Sequence, residues 1–311
     1  MAKVEGIPAL LMIQSSQDEK ITDPSGKNKI GIPEYVLSNP EVYRKLINDI
    51  VNILDEISLD DETGSFNGVV IDFEGLKGTK LKKLFNSFLK ELNKSLDEKN
   101  KLLYVAVHPA RHPKRDTSYF DGYDYRTIGS LADKVILMAH DYNAKKLTDK
   151  EMERGFCITP LAPLEDVYYA LKEITNSRTG IKDRSKIMLQ ISFDWVVWQR
   201  KDGKVINSTP KRYNLENFIK LLKSNKNIEY YFDKQYYSPY VKFTDQATGI
   251  ENIVWYENTT SVMEKVKLAR YFGISGISLW RLGLIPDYES EESGGLQMDV
   301  WQKLLSEMEH D

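Results

Sequence analysis

Six apolar runs of strand length, Ala9–Ile13, Gly68–Phe73, Leu102–Val107, Lys134–Met138, Lys186–Ile191 and Gly276–Trp280, alternate along 311 residues with segments patterned as helices. Parallel strands need long crossovers, so this alternation predicts βα units around a mostly parallel sheet, an α/β fold. The runs are nearly continuous in Val, Ile and Leu, which predicts strands covered on both faces. Asn39-Pro40-Glu41 opens one helix with a cap residue and a first-turn proline, and Val42, Leu46, Ile50, Ile53 and Ile57 follow at helical spacing. Leu81–Leu96, Pro163–Ile174, Leu215–Leu222 and Ser261–Phe272 read as helices on the same grounds.

Between the fifth and sixth runs lies a Tyr-, Asn- and Lys-rich interval, about residues 195–260, containing Tyr230, Tyr231, Phe232, Tyr236, Tyr237 and Tyr240 and then Trp255 and Tyr256. It is too long for a plain crossover and predicts a small α+β insertion before the last strand. Its rings either wall a sugar site or pack the insertion's own core. No repeat or composition break divides the chain, so residues 1–311 read as one domain. A formal charge of −3 gives no field to draw in a polyanion, and nucleic acid is not an expected partner. The longest N-terminal apolar run, Ala9–Ile13, is too short to insert in a membrane or act as a signal segment. Cys157 is the only cysteine, which excludes an internal disulfide. The acidic stretch Glu289–Glu292 reads as a solvated loop.

The second run ends in chemistry. In Phe66-Asn-Gly-Val-Val-Ile-Asp-Phe-Glu-Gly75, strand alternation puts Val70, Asp72 and Glu74 on one face and Val69, Ile71 and Phe73 on the other. Two like charges about 7 Å apart on one face of a buried strand are costly to desolvate and add nothing to stability, so their presence points to function. A third pattern, His108 and His112 with the carboxylates as metal ligands, lacks helical ligand spacing and is weak.

The stretch Asn67-Gly-Val-Val-Ile-Asp72-Phe-Glu74 resembles the Asp-x-x-Asp-x-Asp-x-Glu signature of glycoside hydrolase family 18. Further segments agree in order: Met138-Ala-His140-Asp141-Tyr142, Gln190-Ile-Ser-Phe-Asp194, Trp255-Tyr-Glu257 with Ser261 and Lys265, and Trp280-Arg-Leu-Gly283. The wording is most similar to the bacterial branch associated with spore-cortex and cell-wall lysis. The resemblance implies a TIM-type (β/α)8 barrel with its site at the strands' C-terminal ends. It implies a glycosidase acting on β-1,4-linked N-acetylglucosamine polymers, in peptidoglycan, spore cortex or chitin, by substrate-assisted retaining catalysis. Glu74 would be the acid and base, Asp72 the stabiliser of the acetamido group, and Asn67, His140, Asp141, Tyr142, Gln190, Asp194 and Trp280 the substrate contacts. No metal or cofactor is implied; the partner is a polysaccharide or oligosaccharide, met outside the cytoplasm.

Several positions depart from the family pattern. Asn67 and Val70 stand where aspartates are expected, and His140 stands for a tyrosine. Because Ala9–Ile13 aligns with the family's third strand, two strands are expected to be missing from this chain, with another segment or partner completing the barrel. The departures motivate a second reading, a lectin-like member that binds saccharide without cleaving it; retention of Glu74 argues for the enzyme.

Overall fold

A computed structural model of the protein describes residues 7–23, 25–56, 66–110, 121–212, 219–220, 227–287 and 296–308. The strands β1 (Leu10–Ser16), β2 (Lys20–Thr22) and β3 (Lys29–Gly31) are followed by helices α1 (Ile32–Ser38) and α2 (Pro40–Glu56). Then come β4 (Gly68–Glu74), α3 (Gly78–Asp97), β5 (Leu102–Val107), α4 (Tyr125–Leu131) and β6 (Lys134–Leu137). Next are α5 (Asp149–Glu153), α6 (Leu164–Ile174), β7 (Ile187–Ser192), β8 (Val196–Lys201) and β9 (Lys204–Val205). The chain continues through β10 (Glu229–Asp233), β11 (Ser238–Thr244), β12 (Glu251–Trp255), α7 (Thr259–Tyr271), β13 (Gly276–Trp280) and α8 (Val300–Met308). The six expected strands form one sheet in the order β1-β4-β5-β6-β7-β13, and the pairs from β1 to β7 are parallel. This is the α/β architecture that the alternating runs predict.

The chain divides into two compact units, residues 1–138, 169–189 and 272–276 in the first and 139–168, 190–271 and 277–311 in the second. In the first, Val69, Ile71 and Phe73 of β4 are buried, and Phe73 meets α3. Phe73 stacks on Phe88 at 5.6 Å and lies 6.1 Å from Phe85. Each ring buried this way contributes about 1.5–3 kcal/mol. Helix α2 also buries a face, but its stripe is Tyr43, Ile47, Ile50 and Leu54. Sequence spacing gives Val42, Leu46, Ile50, Ile53 and Ile57; the helix carries two adjacent apolar rows, and only Ile50 is common to both. Tyr43 decides the rotation, because its ring meets Phe88 edge-on at 6.1 Å while its hydroxyl donates to Glu91 Oε1 at 2.6 Å. Ile57 lies outside the described residues.

The second unit contains the expected insertion, and it is chiefly β: an antiparallel sheet ordered β10-β11-β12-β8-β9. Most of the expected helix Leu215–Leu222 lies outside the described residues. Alternation gives this sheet two buried faces. Val197, Val241, Phe243 and Val254 pack on one with Trp195, Tyr256, Leu296 and Met298, and Val196, Trp198, Ile253 and Trp255 pack on the other with Leu147, Leu161 and Val205. Trp195 and Tyr256 stack at 5.0 Å, so these two rings of the aromatic interval are core rather than wall.

Candidate active site

Register places the acids. Strand β4 pairs with β1 so that Asp72 lies beside Gln14 and Glu74 beside Ser16, and neighbours in parallel register share a face. On that face Met12 and Gln14 of β1 are exposed, so the side of β4 carrying the acids is open where it borders β1. The two carboxylates sit in different surroundings. Asp72 is 3% exposed, whereas the Glu74 side chain at the strand's end is 35% exposed. His108 follows the end of β5 on the same side, its Nε2 lying 3.8 Å from Glu74 Oε2.

A short segment before α4 completes this cluster. Gly122 lies so close to the chain leaving β4 that a Cβ would come within 2.3 Å of the Leu76 carbonyl carbon, so only glycine fits. Its N–H donates to Leu76 O at 3.2 Å, and Asp121 Oδ1 accepts from Gly78 N at 2.6 Å. This docking brings in Tyr123, whose hydroxyl donates to Phe73 O at 2.7 Å and whose ring meets the His108 ring at 5.8 Å. Burial pushes the Tyr123 phenol well above its usual pKa, and the charges of Asp72 and Glu74 push it further. It therefore stays a neutral hydrogen-bond donor within the field of both acids. Tyr125 donates to His108 O at 2.6 Å. Asp124, between the two tyrosines, caps α4 by accepting from Thr127 N at 3.2 Å.

The polar residues of the second unit form their own cluster. His140 Nε2 donates to Gln190 Oε1 at 2.8 Å, and its Nδ1 lies 3.2 Å from Asp141 Oδ2. Gln190 in turn donates through Nε2 to Ser278 Oγ at 3.2 Å, which fixes the amide's orientation. Asp141 adopts a left-handed φ of +59°, a conformation that short polar residues tolerate better than others. Arg212 joins two of the acids, with Nη1 at 3.2 Å from Asp194 Oδ2 and Nη2 at 3.8 Å from Asp141 Oδ1. Trp280 ends β13, with its carbonyl accepting from Phe193 N at 2.8 Å. Tyr142 is anchored through its backbone N–H to Leu161 O at 3.0 Å.

Burial opposes charge on both members of the His140–Asp141 pair, but their mutual attraction outweighs it. The His140 pKa is raised above 6.5 by Asp141, Gln190 and Asp194, and Asp141 is lowered to about 2 by His140, Lys145 and Arg212. A raised histidine stabilises the fold fully below 6.5, and that stability is lost as pH rises through the raised value. A lowered aspartate stabilises above 3.8, and its contribution is lost as pH falls toward about 2. The pair thus contributes fully between 3.8 and 6.5. Thermal unfolding followed from pH 6 to 9 should show the wild-type protein losing stability relative to His140→Gln, which keeps a donor for Gln190 but cannot titrate. Parallel curves for the two proteins would remove the charged pair.

Among the residues expected at the site, Asp72 and Glu74 are together in the first unit, and His140, Asp141, Gln190 and Asp194 are linked in the second. Asn67 is not brought to the acids. It starts β4, where Oδ1 accepts from Ala9 N at 2.9 Å and its backbone pairs with Ala9 and Leu102. Seven residues of strand separate it from Glu74, roughly 23 Å, so its carboxamide closes strand pairing instead of meeting a sugar. His112 lies outside the described residues, and among those described no group of three or more His, Cys, Asp or Glu could hold a metal. Tyr123 and Arg212 were not expected. Neither belongs to the motifs, and nothing local in the sequence marks either one.

Residues 31–284 match the family model described as Glycosyl hydrolases family 18. The cortical fragment-lytic enzyme of Bacillus subtilis is 22% identical over 88% of this chain and 57% of its own length. In structure, the spore cortex-lytic enzyme SleL of Bacillus megaterium gives a TM-score of 0.68 at 22% identity, covering 91% of this chain and 58% of that one. A chitinase from Chromobacterium violaceum gives a TM-score of 0.66 at 19% identity, covering 96% of this chain and 82% of that one. The structural likeness shows a shared fold. The chain spans a little over half the length of the curated relative.

Proposed function

The chain belongs to glycosyl hydrolases family 18, and on that premise we propose that it is a retaining glycosidase cleaving β-1,4 linkages of N-acetylglucosamine-containing polymers. Peptidoglycan or spore cortex is placed ahead of chitin, and the site of action outside the cytoplasm, because of the cortex-lytic relatives. The observation that carries the reading is the contrast between the two acids on one face of β4, Glu74 open to solvent and Asp72 sheltered.

In the proposed reaction Glu74 donates its proton to the bridging oxygen as the glycosidic bond breaks. The sugar's own 2-acetamido oxygen attacks the anomeric carbon from the opposite face, giving an oxazolinium ion. Asp72 accepts a hydrogen bond from the acetamido N–H and stabilises the positive charge on it. Glu74, now ionised, takes a proton from water as that water opens the oxazolinium, which restores the acid and retains the β configuration. Tyr123, held neutral, braces the strand end through Phe73 O. His140, Asp141, Tyr142, Gln190, Asp194 and Trp280 are proposed as sugar contacts on their motif positions.

The test is release of reducing ends from peptidoglycan and chitin oligomers, with proton NMR reading the anomer first formed. Initial release of the β anomer is expected. Initial α anomer would overturn substrate assistance, and tight binding without turnover would favour the lectin-like reading.

A further inference from the structure

A cavity of about 370 Å3 opens on the insertion sheet, lined by three cations, Arg154, Arg200 and Lys242, and one acid, Asp233, with Phe156 and Tyr240 over Trp255. That volume lies within the usual range of small-ligand sites, about 300–1,000 Å3. The whole lining belongs to the second unit and includes no member of the two polar clusters. Register explains the arrangement. Tyr231, Tyr240 and Trp255 form one row across β10, β11 and β12, Lys242 lies two residues on beside Ile253, and Arg200 faces Glu251 across β8 and β12. Same-face residues two apart along a strand place Lys242 next to the aromatic row and Arg200 one row further on.

The walls are fixed by specific contacts. Tyr231 and Tyr240 stack at 4.8 Å, Tyr240 lies 4.5 Å from Trp255, and the Trp255 indole donates to Cys157 O at 2.7 Å. The loop carrying Phe156 turns at Gly155, with φ of +71°, where a Cβ would fall 2.3 Å from Gly203 O. Only glycine seats this loop against the β8–β9 turn.

The charges are unequal in their freedom. Arg200 is ion-paired to Glu251 at 2.5 Å, and Arg154 is loosely held, 3.9 Å from Glu151. Among the described residues Lys242 has no carboxylate within 4.0 Å; its ammonium lies 5.0 Å from the Tyr231 ring centre and 5.7 Å from that of Tyr240. The acid opposite it in register, Glu229, accepts the Tyr231 hydroxyl, and Asp233 accepts the backbone N–H groups of Gln235 and Tyr236. An ammonium over aromatic faces, unclaimed by any acid, suits one carboxylate joined to an apolar-faced ring.

We propose that this cavity binds a sugar bearing a carboxylate, with the acid on Lys242 and Arg154 and the pyranose beside Ile158 and the edge of Tyr240, whose faces Tyr231 and Trp255 cover. The proposal rests on the polysaccharide reading above and extends it, since N-acetylmuramic acid is N-acetylglucosamine with a lactyl carboxylate on O3. A single free ammonium matches this ligand better than a polyphosphate.

The test is calorimetric titration of the whole chain with N-acetylmuramic acid, its methyl ester, N-acetylglucosamine and D-lactate. The acid sugar should bind about tenfold tighter than each of the others, as expected for loss of one charged hydrogen bond. Lys242→Met should weaken it by a similar factor while leaving the affinity for the methyl ester unchanged. Equal binding of the acid and its ester, D-lactate binding as well as the sugar, or undiminished binding of the acid sugar in a folded Lys242→Met would each overturn the proposal. The ester comparison needs no variant and stands if Lys242→Met does not fold. Intact binding with no hydrolysis of any polymer would sink the glycosidase reading alone, and hydrolysis without preference for the acid sugar would sink this one alone.

Discussion

Glu74→Gln is expected to lower kcat/KM on N-acetylglucosamine oligomers by roughly 10²–10⁴-fold, the usual contribution of a positioned proton donor and acceptor. The amide has nearly the carboxyl's shape but can neither protonate the leaving oxygen nor take the proton of water. Stability should change little, because the Glu74 side chain is 35% exposed at a strand end, where charge interactions are screened by solvent. The loss should appear in kcat, with KM little changed, since the proton moves only in the transition state. Asp72→Asn should also reduce kcat, but it alters a buried group, so its fold must be checked by circular dichroism. Full activity in Glu74→Gln would end the mechanism proposed here and leave the fold assignment untouched.

Much of this arrangement could be read from the residues, and the reasons differ by element. Strand β5 occupies the run at Leu102–Val107, because nearly continuous Leu, Val and Ala leave little choice of boundaries, and β13 occupies Gly276–Trp280, where Ile277, Leu279 and Trp280 follow a glycine. The shared face of Asp72 and Glu74 follows from the period of a strand. The buried stripe of α2 does not follow from period alone; it is chosen by Phe88 and Glu91, more than forty residues along the chain. Tyr123 meets Phe73 across a separation of 50 residues and Arg212 meets Asp194 across 18, so their placement depends on tertiary contacts that local spacing does not encode. The insertion is β-rich although its sequence looked mixed, since its Tyr and Lys residues alternate with the apolar ones on a sheet covered on both faces. Asn67 occupies a motif position, yet at the strand's start it is held by Ala9 and stands far from the acids at the strand's end.

Lys265→Met is expected to destabilise the protein by about 3–5 kcal/mol, the usual cost of leaving one member of a buried ion pair alone. The Lys265 and Glu257 side chains are 2% and 0% exposed, with Nζ 2.7 Å from Oε2. Glu257 Oε2 also accepts from Ser261 Oγ at 2.6 Å, and Lys265 Nζ donates to Ser261 O at 3.3 Å. These bonds tie the chain just beyond β12 to the first two turns of α7. Without the ammonium, the carboxylate must either stay charged while buried or take up a proton, and both routes weaken folding. A drop on the order of 10 °C in Tm is expected by circular dichroism. Lys265→Met combined with Glu257→Gln should recover much of the loss, because it removes the stranded charge along with its partner. If the single variant costs less than about 1 kcal/mol, the pair is no more consequential than an exposed one. If the double variant is as unstable as the sum of its parts, the two residues act independently, and the connection between β12 and α7 must be held by Asn258 and Ser261, which exchange backbone-to-side-chain bonds of 2.9 and 3.0 Å.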